Sequence, residues 1–276
     1  MVDSADNSGD ALSAGLVAEF VAFASEIAND AGIGIAARFR DRAFVVEDKD
    51  DGTPVTNADR EAESLLRGRI AGRYPDHGII GEELGEEGGD REFVWILDPI
   101  DGTKSFVHGV PLFGTLVGLL HRGRPVVGLI HQPILGRLAV GDNRRAWLNG
   151  KPARVRAPRP MEDATFLLTD PADPRLRALG APFAEMLGEA AVVRSWGDCF
   201  GYLSLVSGLA DVMIDPVLSP WDLLPLLPLL RGAGAVVSGF DRSAPEDGTS
   251  LVATTGGRLH ERVLRGLGAA SPSHGG

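Results

Sequence analysis

The sequence predicts a mixed α/β protein built as two layered halves, and three observations predict it. The chain opens on a long stretch of helical periodicity. Apolar runs of strand length begin at residue 93, and in the second half such runs alternate with helical ones. With 276 residues and 44% hydrophobic content the chain can bury a sizeable core in one or two domains, which excludes a disordered chain or a disulfide-stapled miniprotein.

Residues 1–10 are polar or small and read as a flexible N-terminus. From Ala11 to about Arg40, Leu16, Phe20, Phe23 and Ile27 recur at helical spacing, which predicts one or two amphipathic helices. Lys49 to Pro54 is a turn-rich loop. A helix follows it, capped by Thr56 or Asn57, with Asp59, Glu61 and Glu63 in the early turns, where the helix dipole favours negative charge. Phe93 to Leu97, Leu116 to Leu120 and Val126 to Ile130 read as strands, and the turn His121-Arg122-Gly123-Arg124 makes a hairpin of the last two. The Arg- and Pro-rich stretch Val155 to Pro160 reads as a junction between an N-terminal α+β subdomain (11–157) and a C-terminal α/β subdomain (158–268). Beyond it, Thr165 to Thr169, Val212 to Asp215, Ala235 to Ser238 and Leu251 to Thr254 are strand-like, while Phe200 to Leu209 and Leu223 to Leu230 are helical. Residues 269–276 read as a flexible tail, and no internal repeat is visible.

Lys and Arg number 27 against 38 Asp and Glu, a net charge of −11, which argues against nucleic-acid or anionic-membrane partners that need clustered basic charge. The single cysteine, Cys199, excludes an internal disulfide and any Cys-based zinc cage, and reads as a buried, small apolar side chain. No secretory signal is visible and no run reaches the roughly 18 uninterrupted apolar residues of a membrane span. A cytoplasmic protein is the expectation.

The acids are unevenly spread. Glu82, Glu83, Glu86, Glu87 and Asp90 precede an apolar strand, Phe93 to Leu97, that ends at Asp98; Pro99 fixes a turn, Asp101 lies three residues on, and Gly102-Thr103 open a short helix. Each piece has a structural explanation: a solvated acidic loop for Glu82 to Glu87, caps for Asp98, Asp101 and, at Trp221-Asp222, another helix start. Jointly they place carboxylates beside a helix N-terminus, which offers N–H groups to an anion that the acids would repel unless cations intervene. Oxygen ligands of this kind select Mg²⁺, Mn²⁺ or Ca²⁺. The histidines His108, His121 and His131 match no His-based metal spacing and read as loop or packing residues.

These residues resemble the inositol monophosphatase superfamily of Mg²⁺-dependent, lithium-sensitive phosphatases. The matching pieces are Gly81-Glu82-Glu83, Trp95-Ile96-Leu97-Asp98-Pro99-Ile100-Asp101-Gly102-Thr103, Trp221-Asp222 with Gly232-Ala233-Gly234-Ala235, and Lys49 with Pro54-Val55-Thr56-Asn57-Ala58-Asp59. The stretch Lys104 to Leu116, His131-Gln132-Pro133 and Gly197-Asp198-Cys199 are most similar to the histidinol-phosphate phosphatase branch.

The resemblance implies a layered αβαβα sandwich of the inositol-monophosphatase and fructose-bisphosphatase type, and by analogy a homodimer. It implies two or three Mg²⁺ ions held by Glu82, Asp98, the Ile100 carbonyl, Asp101 and Asp222, most of them in the first subdomain. The Gly102 and Thr103 amides would cradle phosphate, and Thr103, oriented by Asp59, would position the attacking water with Glu82 nearby. Glu83 would support this set from behind. For the substrate, Asp215 stands where sugar-alcohol phosphatases of the family carry a Glu, and with Asp198 it suits a cationic amine. Asp215 could equally cap the Pro216 turn. Arg194 is a substrate-side residue and a candidate counter-ion for Asp198, and Trp196 and Phe200 depart from the histidinol branch. The expected activity is Mg²⁺-dependent hydrolysis of the small phosphate monoester L-histidinol phosphate, in histidine biosynthesis. The alternatives are an inositol-1-phosphate or related sugar-alcohol phosphatase, and a non-catalytic phosphometabolite-binding protein on the same fold.

Overall fold

The computed structural model describes residues 12–49 and 52–268. The two terminal segments read as flexible, Ala11, and Asp50-Asp51 of the turn-rich loop lie outside the described residues.

The opening periodicity makes one helix, α1 (Ala14–Asp41). Ser13 caps it, its Oγ accepting the Leu16 amide at 3.2 Å, and Arg42 ends it in the left-handed region at φ 53°. Phe20, Phe23, Ala24, Ile27, Ala31 and Ile35 form its buried stripe. By length and composition alone α1 is long and apolar enough to cross a membrane, yet this stripe is packed into the core. A short hairpin, β1 (Val46–Asp48) and β2 (Pro54–Thr56), leads into α2 (Asn57–Arg73). Of the two candidate caps, Thr56 is the one used. Its Oγ1 accepts the Ala58 amide at 3.1 Å and Asp59 returns the bond to the Thr56 amide at 2.9 Å, while Asn57 Oδ1 accepts from Val45 instead.

An eight-stranded sheet follows: β3 (Gly78–Gly81), β4 (Gly85–Glu87), β5 (Phe93–Asp101), then, after helix α3 (Thr103–Val107), β6 (Gly114–His121), β7 (Arg124–Gln132), β8 (Arg137–Gly141), β9 (Ala146–Leu148) and β10 (Lys151–Pro152). Its spatial order is β10-β9-β8-β7-β6-β5-β3-β4. The β6–β7 hairpin closes on Arg122 and Gly123, both at positive φ (50° and 76°), the geometry of a two-residue hairpin loop. One expectation is corrected. The apolar strand does not stop at Leu97 but runs to Asp101, with its register against β6 shifting between Asp98 and Asp101. Pro99 has no N–H for the ladder, so the chain bulges there and keeps pairing.

The second sheet is mixed, in the order β12-β11-β13-β15-β14. In chain order its half contains β11 (Thr165–Leu168), α4 (Pro174–Ala178), α5 (Gly180–Glu189), β12 (Val192–Arg194), α6 (Asp198–Val206), β13 (Val212–Asp215), α7 (Pro220–Gly232), β14 (Val236–Ser238), β15 (Leu251–Thr254) and α8 (Gly257–Gly266). Three cores separate the layers. The first joins α1 and α2 to the large sheet through residues such as Phe20, Leu66, Trp95 and Val117. The second lies between the sheets around α6 and α7, with Leu116, Tyr202, Leu226 and Met213. The third packs α5 and α8 on the outer face through Phe166, Phe183, Ile214 and Val263. The result is the αβαβα sandwich. Each fully buried large apolar side chain contributes about 1.5–3 kcal/mol.

Helix α7, which contains Pro225 and Pro228, lies almost backbone to backbone on β6 and β7. A Cβ on Gly128 would come within 1.8 Å of the Pro225 carbonyl oxygen, so only glycine permits the approach. That contact fixes the start of α7, and with it Asp222, over the bulged end of β5.

Candidate active site

The bulge bends around the Asp98 side chain, whose Oδ1 accepts the Ile100 amide at 3.0 Å. The Ile100 carbonyl turns inward and accepts the Thr103 hydroxyl at 2.9 Å. Gly102, at φ 85°, reverses the chain into α3 and makes no side-chain cap to it. Asp101 is held from the other half of the molecule: its Oδ2 accepts the main-chain amide of Cys199 at the start of α6. Asp222 sits at the third position of α7, not at the cap. Ser219 is the cap, and Asp222 Oδ2 accepts the Ser219 amide at 2.9 Å.

These elements converge. One carboxylate oxygen from each of Asp98, Asp101 and Asp222 lies within 4.8 Å of the others. With Glu82, Ile100, Gly102 and Thr103 they line a cavity of about 540 Å³ to which both halves of the chain contribute. All the donors are hard oxygens, the set a divalent cation such as Mg²⁺ requires, so the residues fit such an ion.

The protonation pattern makes the same point. Burial, then the charges of Glu82, Asp101 and Asp222, push the Asp98 carboxyl well above its ordinary range. Burial and the neighbouring Asp198 and Asp222 do the same to Asp101. Asp222 is lifted by burial to about 6. Carboxylates so crowded cannot all ionise without positive charge among them.

Glu82 is presented by a turn that sequence reasoning missed. Its amide donates to Leu97 O at 3.1 Å, while the amides of Glu83 and Leu84 donate to Glu63 at 2.8 and 3.2 Å. Glu63 is fully buried on α2 and neutralised by Arg67 at 2.8 Å. Gly81 leaves room for this carboxylate: a Cβ there would come within 2.1 Å of Glu63 Oε1 and displace it from the two amides. In sequence Glu63 reads as an early-turn dipole residue; its spacing with Leu66 and Ile70, three and seven residues on and on the same helix face, is the available signal. Lys49, at the end of the first hairpin strand, lies 2.7 Å from both Glu82 Oε1 and Glu83 Oε1. Burial pulls its ammonium pKa down, but the two glutamates outweigh that and raise it.

Asp59 accepts the Thr56 amide and hydroxyl with one oxygen and stands 3.5 Å from the Thr103 hydroxyl with the other. Burial lifts its carboxyl to about 6, against the two Thr56 hydrogen bonds. On the substrate side, Asp198 adopts a left-handed backbone (φ 50°) that brings its Oδ2 over Gly102, and burial raises its carboxyl to about 6 while Lys104 pulls it back. Arg194 is not its counter-ion. It ends the edge strand β12, exposed, and its guanidinium donates to the neighbouring Val193 carbonyl at 2.7 Å; the facing cation is Lys104, which lines the cavity. Asp215 does not cap the Pro216 turn. It is buried below the cavity, hydrogen-bonded by Tyr202 at 2.8 Å, and burial lifts it to about 8 against the opposing pull of Thr169 and Tyr202. Cys199 is buried, as read from the sequence.

A hard-oxygen acid cluster beside a helix start supplies the kind of donors that metal-assisted hydrolysis of phosphate esters uses. The chain belongs to the inositol monophosphatase family, whose sequence profile matches residues 16–270. A histidinol-phosphatase of Chlorobaculum parvum is 38% identical over 231 residues, covering 83% of this chain and 89% of that protein. An inositol-1-monophosphatase of Synechocystis is 32% identical over 227 residues, covering 80% and 78%. Among solved structures, an inositol monophosphatase from Zymomonas mobilis matches with a TM-score of 0.80 at 29% identity, covering 93% of this chain and 100% of that one. The protein is a phosphoric monoester hydrolase, and its acid cluster could hold metal.

Proposed function

We propose that the protein hydrolyses L-histidinol phosphate to L-histidinol and phosphate, in a Mg²⁺-dependent reaction of histidine biosynthesis. The observation that carries the substrate is the second acid pair, Asp198 and Asp215, set beside the first cluster and connected through Thr169. A phosphate group engages the Asp98, Asp101 and Asp222 end, and a cationic amine engages the other. The 38% identity to a histidinol-phosphatase supports the same reading.

Glu82, Asp98, Asp101, Asp222 and the Ile100 carbonyl are the residues that would hold two or three Mg²⁺ ions, which when bound supply charge neutralisation for the phosphoryl oxygens and a lowered pKa for water. The Gly102 and Thr103 amides receive phosphate oxygens. Thr103, steadied by Asp59 and the Ile100 carbonyl, aligns the attacking water, and Glu82 stands ready for its proton. Water adds at phosphorus, the ester P–O bond breaks, and the alcohol leaves with a proton. No protein nucleophile is needed.

The test is a panel of phosphate monoesters compared by kcat/KM. L-histidinol phosphate should lead inositol 1-phosphate and nucleoside 3′,5′-bisphosphate. A lead for inositol 1-phosphate would support the second reading, which the Synechocystis relative favours. We further propose a cytoplasmic homodimer: Trp196 and Leu209, 45% and 54% exposed, flank an apolar groove of about 320 Å³ with Phe200 and Leu112, a face suited to a second copy. Light scattering on the purified protein tests it; a monomer mass would remove it.

A further inference from the structure

Beneath the main cavity lies a slot of about 120 Å³. It adjoins the main cavity, sharing Asp101, Thr169, Asp198 and Asp222 with it, and adds Tyr202 and Asp215. All of its charged lining residues are carboxylates. Tyr202, on α6, is 1% exposed and donates its hydroxyl to Asp215 Oδ2 at 2.8 Å. The Thr169 side chain also lines the slot and favours the charged form of the same carboxylate, while its oxygen accepts the Asp198 amide at 2.9 Å. One threonine therefore ties Asp215 to the chain that presents Asp198, and one tyrosine ties it to the helix whose first turn holds Asp101.

We propose that Tyr202 and Thr169 are positioning residues for substrate selection: their hydroxyls hold the Asp215 carboxylate on the wall of the slot, where it takes the ammonium group of an amino-alcohol phosphate. The inference rests on the histidinol-phosphate reading and deepens it. Burial alone favours a neutral carboxyl, which gives an ammonium group no charge to pair with. The hydroxyls oppose that burial, which still holds the carboxyl at about 8, and an arriving ammonium group favours the ionised form further; they occupy one part of its acceptor set and leave the rest for the substrate. A neutral polyol in the same slot would leave the acidic wall uncompensated.

The experiment measures kcat and KM for L-histidinol phosphate and inositol 1-phosphate, in Mg²⁺, on wild type, Tyr202→Phe, Thr169→Val and Thr169→Ser, with Tm as the reading of fold. Tyr202→Phe and Thr169→Val should each raise KM for histidinol phosphate about tenfold, with kcat for that substrate within about threefold, the size of one lost hydrogen bond to a charged group. The ratio of the two specificity constants should fall by the same factor, and Thr169→Ser, which keeps the hydroxyl, should restore most of it. A wild-type preference for histidinol phosphate that survives both hydroxyl-less variants overturns the inference alone. So does a parallel loss on both substrates that tracks Tm. A wild type without that preference overturns the underlying reading and the inference with it. Should Tyr202→Phe not fold, the contrast between Thr169→Val and Thr169→Ser decides.

Discussion

Asp222 faces two ways: its Oδ2 accepts the Ser219 amide at 2.9 Å and closes the first turn of α7, while one of its carboxylate oxygens lies within 4.8 Å of an oxygen of Asp98 on β5. One side chain thus serves the helix start and the acid cluster together.

Asp222→Asn separates the two roles. The amide oxygen still accepts from Ser219, so Tm should move by less than about 3 °C. The lost charge should cost about a thousandfold or more in kcat/KM, several kcal/mol of transition-state stabilisation. A large fall in Tm with residual activity would place Asp222 in the cap alone.

Lys49 Nζ lies 2.7 Å from Oε1 of Glu82, one of the carboxylates proposed to hold a cation. Lys49→Met removes both the competitor and a positive charge, so the half-saturating Mg²⁺ concentration should fall about three- to tenfold, on the order of 1 kcal/mol. Calorimetric titration with Mg²⁺ reads this directly, and weaker binding would show that Lys49 supports the ion.

Glu63 is buried between Arg67 and the amides that present Glu82. Glu63→Ala strands a guanidinium and two N–H groups, and should destabilise the fold by about 3 kcal/mol in denaturant unfolding. A change below about 1 kcal/mol would mean the turn is held by the strand ladder instead.

The acid cluster makes a pH prediction whose sign follows from raised carboxyl pKa values. Asp198 and Asp222 sit at about 6 and Asp215 at about 8 in the folded chain, against 3.8 for the free side chain. The folded state therefore binds more protons than the unfolded one between these values. Stability from these groups is complete below about 3.8 and is lost as pH rises through 6 and 8, by up to about 1.4 kcal/mol per pH unit for each group within its window. In chelator, Tm should be higher at pH 5.5 than at pH 8, and Mg²⁺ should raise it more at pH 8. Equal Tm values at the two pH values would contradict the burial of these acids.

Much of this was legible in the sequence, for physical reasons. Phe20, Phe23 and Ile27 announce α1 because a helix facing a sheet needs an apolar stripe. Asp98, Asp101 and Asp222 stand out because acids abutting apolar runs are costly without a partner. The strand's continuation to Asp101 was hidden because Pro99 reads as a stop, and only the pairing with β6 reveals a bulge. Glu63 and Lys49 were hidden because their partners lie 20 to 34 residues away in the chain. Arg194 was misread because nearness in sequence to Asp198 says nothing about an edge strand that carries it outward.

The most direct measurement is phosphate release from L-histidinol phosphate and from p-nitrophenyl phosphate, before chelation, in excess chelator, and after Mg²⁺ is restored. The account predicts that activity disappears in chelator and returns with Mg²⁺ in wild type, and that Asp98→Asn is inactive throughout with its fold intact. Full activity in excess chelator, on either ester, would contradict it.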